Sequence, residues 1–155
     1  MFSSHSKRWL QTWLLVGSLD IGCAFIQAWF KTHTPPDRVL IFIASGLLGK
    51  AAFSGGMGTI ALGLFCHYCI AGIWVALFWW VLKRFPSLNL YPLICGTLFG
   101  FLIWLVMNSI ILPLSRTPPL PFSWDRALMA IIILVVAIGL PSALLYPNNR
   151  HQKTG

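Results

Sequence analysis

Acid is what this chain has least of. Its 155 residues include three acidic side chains, Asp20, Asp37 and Asp125, and no glutamate, against eleven lysines and arginines. Charged residues make up 9% of the chain, where a soluble domain carries roughly 25%. That shortage, with 57% apolar residues and a mean hydropathy of +0.78, excludes a water-soluble globular fold. It also removes paired-carboxylate chemistry, and no nucleophile motif, phosphate loop or acidic metal cluster takes its place. The chain is therefore expected not to be an enzyme. On a soluble protein a net charge of +8 would suggest nucleic acid. Beside long apolar runs it indicates anionic lipid headgroups and loop orientation, with no nucleic acid implied.

What is present is hydrophobic length. A bilayer core of about 30 Å needs around 20 mostly apolar residues per helix. Four segments qualify: residues 9–30, 57–82, 92–114 and 125–146. Barrel strands need only about 9–11 residues with in/out alternation, and these runs are longer and apolar on all sides. The predicted fold is all-α: a four-transmembrane-helix bundle forming one integral membrane domain over residues 1–155. A fifth apolar stretch, Val39 to Leu48, is too short to cross. Arg38 and Lys50 bracket it, and Gly46, Gly49, Gly55 and Gly56 loosen its end, so residues 38–53 read as an interfacial or re-entrant helix between the first two spans. The loops are short and proline-rich (Pro35-Pro36, Phe85-Pro86, Pro118-Pro119-Leu120-Pro121) and hold no soluble domain.

Trp9, Trp13 and Trp29 flank the first span, Trp79 and Trp80 end the second, and Tyr146 ends the fourth, as interfacial aromatics do. Four crossings place both termini on one side, with Lys7, Arg8, Lys83, Arg84, Arg150 and Lys153. The other side carries Lys31, Arg38, Lys50, Arg116 and Arg126, with Asp37 and Asp125. Because Lys7-Arg8 and Lys83-Arg84 lie immediately beside spans, both termini are expected in the cytoplasm. Lys7-Arg8 and the apolar run behind them resemble a secretory signal. Apolar sequence continues to Phe30, however, and Asp20 stands where a lipoprotein cleavage box wants leucine, so an uncleaved anchor is expected.

Two ionisable residues fall deep in the hydrocarbon. Asp20 is about 16 Å along the first span and His67 about 15 Å along the second. An aspartate at a helix centre costs roughly 2.5–3.5 kcal/mol on insertion scales and usually faces a bundle interior with a partner. His67 is the side chain at matching depth, so a pairing of Asp20 with His67 across the first two spans is predicted. Such a pair either fixes helix packing or serves a proton relay or a polar solute site, with Gly17, Ser18, Cys23 and Gln27 as its surroundings. Asn108, near the end of the third span, is a third polar intramembrane candidate, of the type that hydrogen-bonds a neighbouring helix. Gly96 and Gly100 form a small-xxx-small pair for close helix contact, Gly63 and Gly72 suit the second span similarly, and Gly139 with Pro141 marks a kink in the fourth.

Cys66-His67-Tyr68-Cys69 invites a metal or redox reading with Cys23 and Cys95. The motif lies at mid-membrane, where a loop-borne metal knuckle has no place, and free cysteine is a common small apolar residue inside bundles. A b-type haem between helices needs two histidines at matching depth, and His5, His33 and His151 fall outside the spans. No metal and no cofactor is therefore expected.

Leu19-Asp20-Ile21, Ala44-Ser45-Gly46-Leu47-Leu48-Gly49, Ala51-Ala52-Phe53, Ala61-Leu62-Gly63-Leu64, His67, Val106-Met107-Asn108, Leu112-Pro113-Leu114-Ser115 and Gly139-Leu140-Pro141 together cover nearly the whole chain. In this pattern the sequence resembles a family of small uncharacterised four-span bacterial inner-membrane proteins. More distantly, His67, Phe85-Pro86, Gly96, Gly100 and Thr117-Pro118-Pro119-Leu120 resemble the YagU-like membrane proteins. The resemblance implies four spans, a bacterial cytoplasmic membrane, and Asp20, His67 and Asn108 as the polar positions to test. Relatives of this kind often have a second histidine in the fourth span, whereas Ile131 to Ile138 here hold no polar residue. A structural or partner-binding membrane protein is the expected class, the lipid bilayer its first partner, with a homo-oligomer or a membrane-protein partner open. The alternative is a small transporter or proton-conducting protein using Asp20 and His67.

Overall fold

The computed structural model describes residues 4–119 and 121–147. Leu120, Arg150, His151 and Lys153 lie outside the described residues, as does the side chain of His5. Five helices follow one another: α1 (Ser4–Thr32), α2 (Pro36–Leu48), α3 (Met57–Arg84), α4 (Pro92–Leu114) and α5 (Trp124–Leu144). Short 3-10 turns, Gly49–Ser54 and Pro86–Leu90, link α2 to α3 and α3 to α4. No strand occurs among the described residues. The fold is all-α, and α1 (from Ser6), α3, α4 and α5 are each long and apolar enough to cross a membrane. The chain is a multi-pass membrane protein.

Helix ends follow local chemistry more than hydropathy. α1 starts before Trp9, because its polar first turn remains helical with no proline to stop it. It ends where His33 adopts a φ of 50° ahead of Pro35-Pro36. Pro36 opens α2 at the first helical position, and Asp37 complements the positive end of the helix dipole. The last turn of α5 closes with the Leu145 N–H on the Pro141 carbonyl, so Tyr146 falls just past the helix.

α2 lies across the first two turns of α3. Its buried Ile41 and Ala44 pack with Ala52 against Ile60 and Leu62. Gly63 makes this approach possible, since a Cβ there would stand 2.0 Å from the Leu40 carbonyl oxygen. Gly63 is six residues into α3, so the contact reaches about 9 Å along it. The far end of α2 is tied to the α4–α5 loop by the Arg116 N–H on the Gly46 carbonyl, 3.0 Å. It turns away at Gly49, whose φ of +63° lies in the left-handed region.

The main core lies in the other half of the bundle. Val16 of α1, Trp74, Val75, Phe78, Trp79 and Leu82 of α3, Phe99 and Ile103 of α4, and Ile138 and Ala143 of α5 form one buried cluster. Phe78 and Phe99 stack with centroids 4.2 Å apart, and Trp74 meets Phe99 edge-on. α4 and α5 touch at backbone distance: a Cβ on Gly139 would stand 2.1 Å from the Gly96 oxygen, and one on Gly100 2.6 Å from Val135 Cα.

Both of these helices contain a π turn placed two residues before a proline. In α4 it spans Met107–Ile111 ahead of Pro113, and in α5 Val135–Gly139 ahead of Pro141. Proline has no N–H and its ring crowds the carbonyl four residues earlier. Widening the turn relieves that crowding, and the preceding N–H groups reach back five residues, Leu112 to Met107 and Leu140 to Val135.

Candidate functional site: the polar seam between α1 and α3

Trp13, Gly17 and Asp20 are spaced at one-turn intervals on α1 and face α3, where His67 and Tyr68 sit one turn before Ala71 and Gly72. Three hydrogen bonds cross the seam. The Trp13 indole N–H donates to the Tyr68 carbonyl at 2.6 Å. The Tyr68 and Ser18 hydroxyls share a bond of 2.8 Å. His67 Nε2 lies 2.8 Å from the Gly17 carbonyl oxygen, with the imidazole buried. A carbonyl only accepts, so Nε2 carries the proton and donates. Ring contacts fill the space between these bonds: Trp13 meets Tyr68 edge-on at 6.2 Å, and His67 meets Tyr68 edge-on at 5.5 Å.

Glycine lets the two helices come this close. A Cβ at Gly17 would stand 2.8 Å from the Tyr68 ring, and one at Gly72 3.0 Å from Trp13 Nε1. Three side chains of the seam, Trp13, Tyr68 and His67, thus hydrogen-bond across to the opposite helix.

Asp20 shares this seam but not its bonds. Its side chain is half-buried and has no hydrogen bond or ion pair among the described residues. The His67 imidazole is engaged one turn earlier on α1, at the Gly17 carbonyl. The direct Asp20–His67 bond anticipated from matching depth is not made, because Nε2 reaches the backbone one turn earlier on α1.

Asn108 does not join the group. It sits in the π turn of α4, exposed, and its carboxamide nitrogen donates to the Trp104 carbonyl of its own helix at 2.9 Å. Gly96, Gly100 and Gly139 meet at the α4–α5 crossing, and Pro141 follows the π turn there. Of the cysteines, Cys69 is exposed, Cys23, Cys66 and Cys95 are half-buried, and Cys95 Sγ contacts the Leu88 carbonyl at 3.4 Å. No group of three or more His, Cys, Asp or Glu able to hold a metal ion gathers among the described residues.

Two further polar ties brace the bundle. Lys31 at the end of α1 bonds Asp125 at the start of α5 at 2.6 Å. The Trp79 indole donates to the Ser142 carbonyl at 3.1 Å and meets Tyr146 edge-on. Beside that tie, a cavity of about 120 Å³ is lined by Leu82, Leu88, Asn89, Pro92, Ala143, Leu144 and Tyr146, away from the seam. The Ser142 hydroxyl is fully buried and has no hydrogen-bond partner among the described residues. No family model, no curated protein and no solved structure matches this chain.

Reading by residue type singled out the charged members of the seam and passed over the aromatic ones. Trp13 and Trp79 read as interfacial anchors, yet both spend their indole N–H on a backbone carbonyl of another helix. Trp29, Trp80 and Trp124 are the exposed tryptophans. The available signal for Trp13 was its one-turn spacing from Gly17, which puts a large side chain next to a gap.

Proposed function

We propose that this protein is a structural, partner-binding component of the bacterial cytoplasmic membrane, with both termini in the cytoplasm, and that it is not an enzyme. One observation carries the reading: the buried His67 donates to the Gly17 backbone carbonyl, and Trp13, Ser18 and Tyr68 are likewise matched across the seam. Polar groups used this way fix how two helices pack, each spending a hydrogen bond on the neighbouring helix. The seam sets the register of α1 on α3.

The second reading is a small transporter or proton-conducting protein, and Asp20 favours it. A mid-membrane carboxyl without a hydrogen bond among the described residues, one turn along α1 from the carbonyl that a buried histidine engages, is the type of group found in proton relays. Reconstitution separates the two. Wild-type protein, Asp20→Asn and His67→Gln are placed in proteoliposomes with a pH-sensitive dye inside, and an imposed pH gradient is followed. The structural reading expects all three to relax like empty liposomes, with His67→Gln expressed less well than wild type. Wild-type flux that Asp20→Asn abolishes, at normal expression, overturns it.

A further inference from the structure

The far half of α4 contrasts with every other part of the spans. Gly96, Phe99, Gly100 and Ile103 bury one side of the helix against its neighbours. From Asn108 to Leu114 every residue is exposed, including the last four of the π turn. The outward face reads Ile94, Thr97, Phe101, Leu105, Asn108 and Leu112, and all six are exposed. Two of them are polar. The Thr97 hydroxyl has no hydrogen bond among the described residues, and Asn108 uses only one of its two N–H groups, leaving its amide oxygen free. Eleven residues separate the two, three helical turns, so they align on one face about 16 Å apart, each roughly 7–9 Å from one end of the helix.

Polar side chains rarely face lipid; within spans they turn toward other protein. Pro113 adds to the demand, because it offers no N–H to the carbonyl of Ser109 on this same exposed turn. We propose that this face of α4 is the seam of a homodimer formed with a second copy of this chain. The proposal deepens the partner-binding reading above and rests on it. The occupant follows from symmetry. Two copies inserted with one orientation pair about a two-fold axis along the membrane normal, so each residue meets its own counterpart at its own depth. Asparagine is self-complementary there: the free Asn108 N–H meets the amide oxygen of Asn108 of the partner subunit, and the reverse, while both keep their bonds to Trp104. Threonine hydroxyls, which donate and accept, match in the same way. Leu93, Ile94, Thr97 and Leu98 form a shallow, open surface on the near half of the face, against which a second copy can lie. The exposed Phe101, stacked near Trp104, supplies apolar contact between the polar rungs.

The test uses the full chain with Cys23, Cys66, Cys69 and Cys95 changed to alanine, because Cys69 is itself exposed. Single cysteines are introduced as Asn108→Cys and Phe101→Cys, with Ile73→Cys on α3 as a control that is 66% exposed. Oxidative cross-linking in membranes is expected to join chain to chain at 108 and 101 much faster than at 73. In parallel, the wild-type chain carrying a C-terminal fluorophore is counted by photobleaching at high lipid dilution. Two steps are expected, and Asn108→Leu should raise the dissociation constant about tenfold. Single-step bleaching of wild type overturns the homodimer, as does cross-linking at 73 as fast as at 108, or linkage at 108 only to a different protein. A monomer that conducts nothing removes the dimer and leaves the structural reading standing, whereas flux through wild type removes that reading whichever oligomer carries it.

Discussion

His67 and Asp20 reach the same depth in the bilayer with opposite outcomes. The imidazole finds a backbone carbonyl, Gly17, that also serves the α1 ladder, and it is buried there. The carboxyl, three residues further along α1, has no hydrogen bond or ion pair among the described residues. Reach explains the difference: a histidine ring extends to the neighbouring backbone, while aspartate is one of the shortest polar side chains. Ser142 is a buried counterpart, with a hydroxyl that has neither donor nor acceptor opposite it among the described residues. An unmatched buried hydroxyl costs free energy that an apolar isostere avoids. Ser142→Ala is therefore expected to raise stability by about 1 kcal/mol, read as a higher thermal midpoint in detergent with unchanged helicity. A lower midpoint would mean that the hydroxyl has an essential partner. The polar residues themselves were legible in the sequence, because each interrupts an apolar run. Which of them bond was not, because a bond to a backbone carbonyl carries no residue-type signature on the accepting side.

Helices in a bilayer gain nothing from leaving water, since lipid is as apolar as leucine; they associate by close packing and interhelical hydrogen bonds. Glycine is therefore decisive at the crossings, and the structure separates glycines that are needed from those that are not. A Cβ on Gly139 would collide with the Gly96 carbonyl at 2.1 Å, and the atoms it meets, at Gly96 and Gly100, are backbone atoms that do not rotate away. Gly139→Ala is expected to cost more than 2 kcal/mol, within the overpacking range of about 1–3 or above it, and to lower the thermal midpoint and the yield. Gly22, in the middle of α1, has nothing within 4 Å of the added methyl. Gly22→Ala is expected to stabilise by roughly 0.5–1 kcal/mol through reduced backbone freedom of the unfolded chain. Equal effects of the two changes would show that the crossing of α4 and α5 is looser than these distances. The small-xxx-small spacing of Gly96 and Gly100 was visible in the sequence. Gly139 showed there only as part of a kink, because the helix that would face the pair depends on how the loops bring α4 and α5 together.

At the scale of the whole molecule the bundle has two unlike halves. One holds a buried aromatic core shared by α1, α3, α4 and α5; the other is braced by α2 against α3 and leaves the end of α4 uncovered. Lys31 and Asp125 join α1 to α5 on the side where α2 lies. The cationic pairs Lys7-Arg8 and Lys83-Arg84 flank the opposite side, and that asymmetry predicts cytoplasmic termini. Fusions of a cytoplasm-active and a periplasm-active reporter at each end should give signal only from the cytoplasmic one at both; a periplasmic signal at either end would invert or break the topology. The number of spans, their approximate limits and the membrane setting follow from sequence alone, because a stretch of about 20 apolar residues has one stable place to be and its backbone must close its own hydrogen bonds there. Pro141 likewise announces where α5 must depart from regular helix, whereas the matching π turn ahead of Pro113 in α4 emerged only with the structure. Tertiary structure alone decides which apolar surface meets another helix and which meets lipid, since both are written in the same residues. For that reason the scarcity of acid could mark Asp20 as singular, but only the packing shows His67 bound to Gly17 and Asn108 left facing outward.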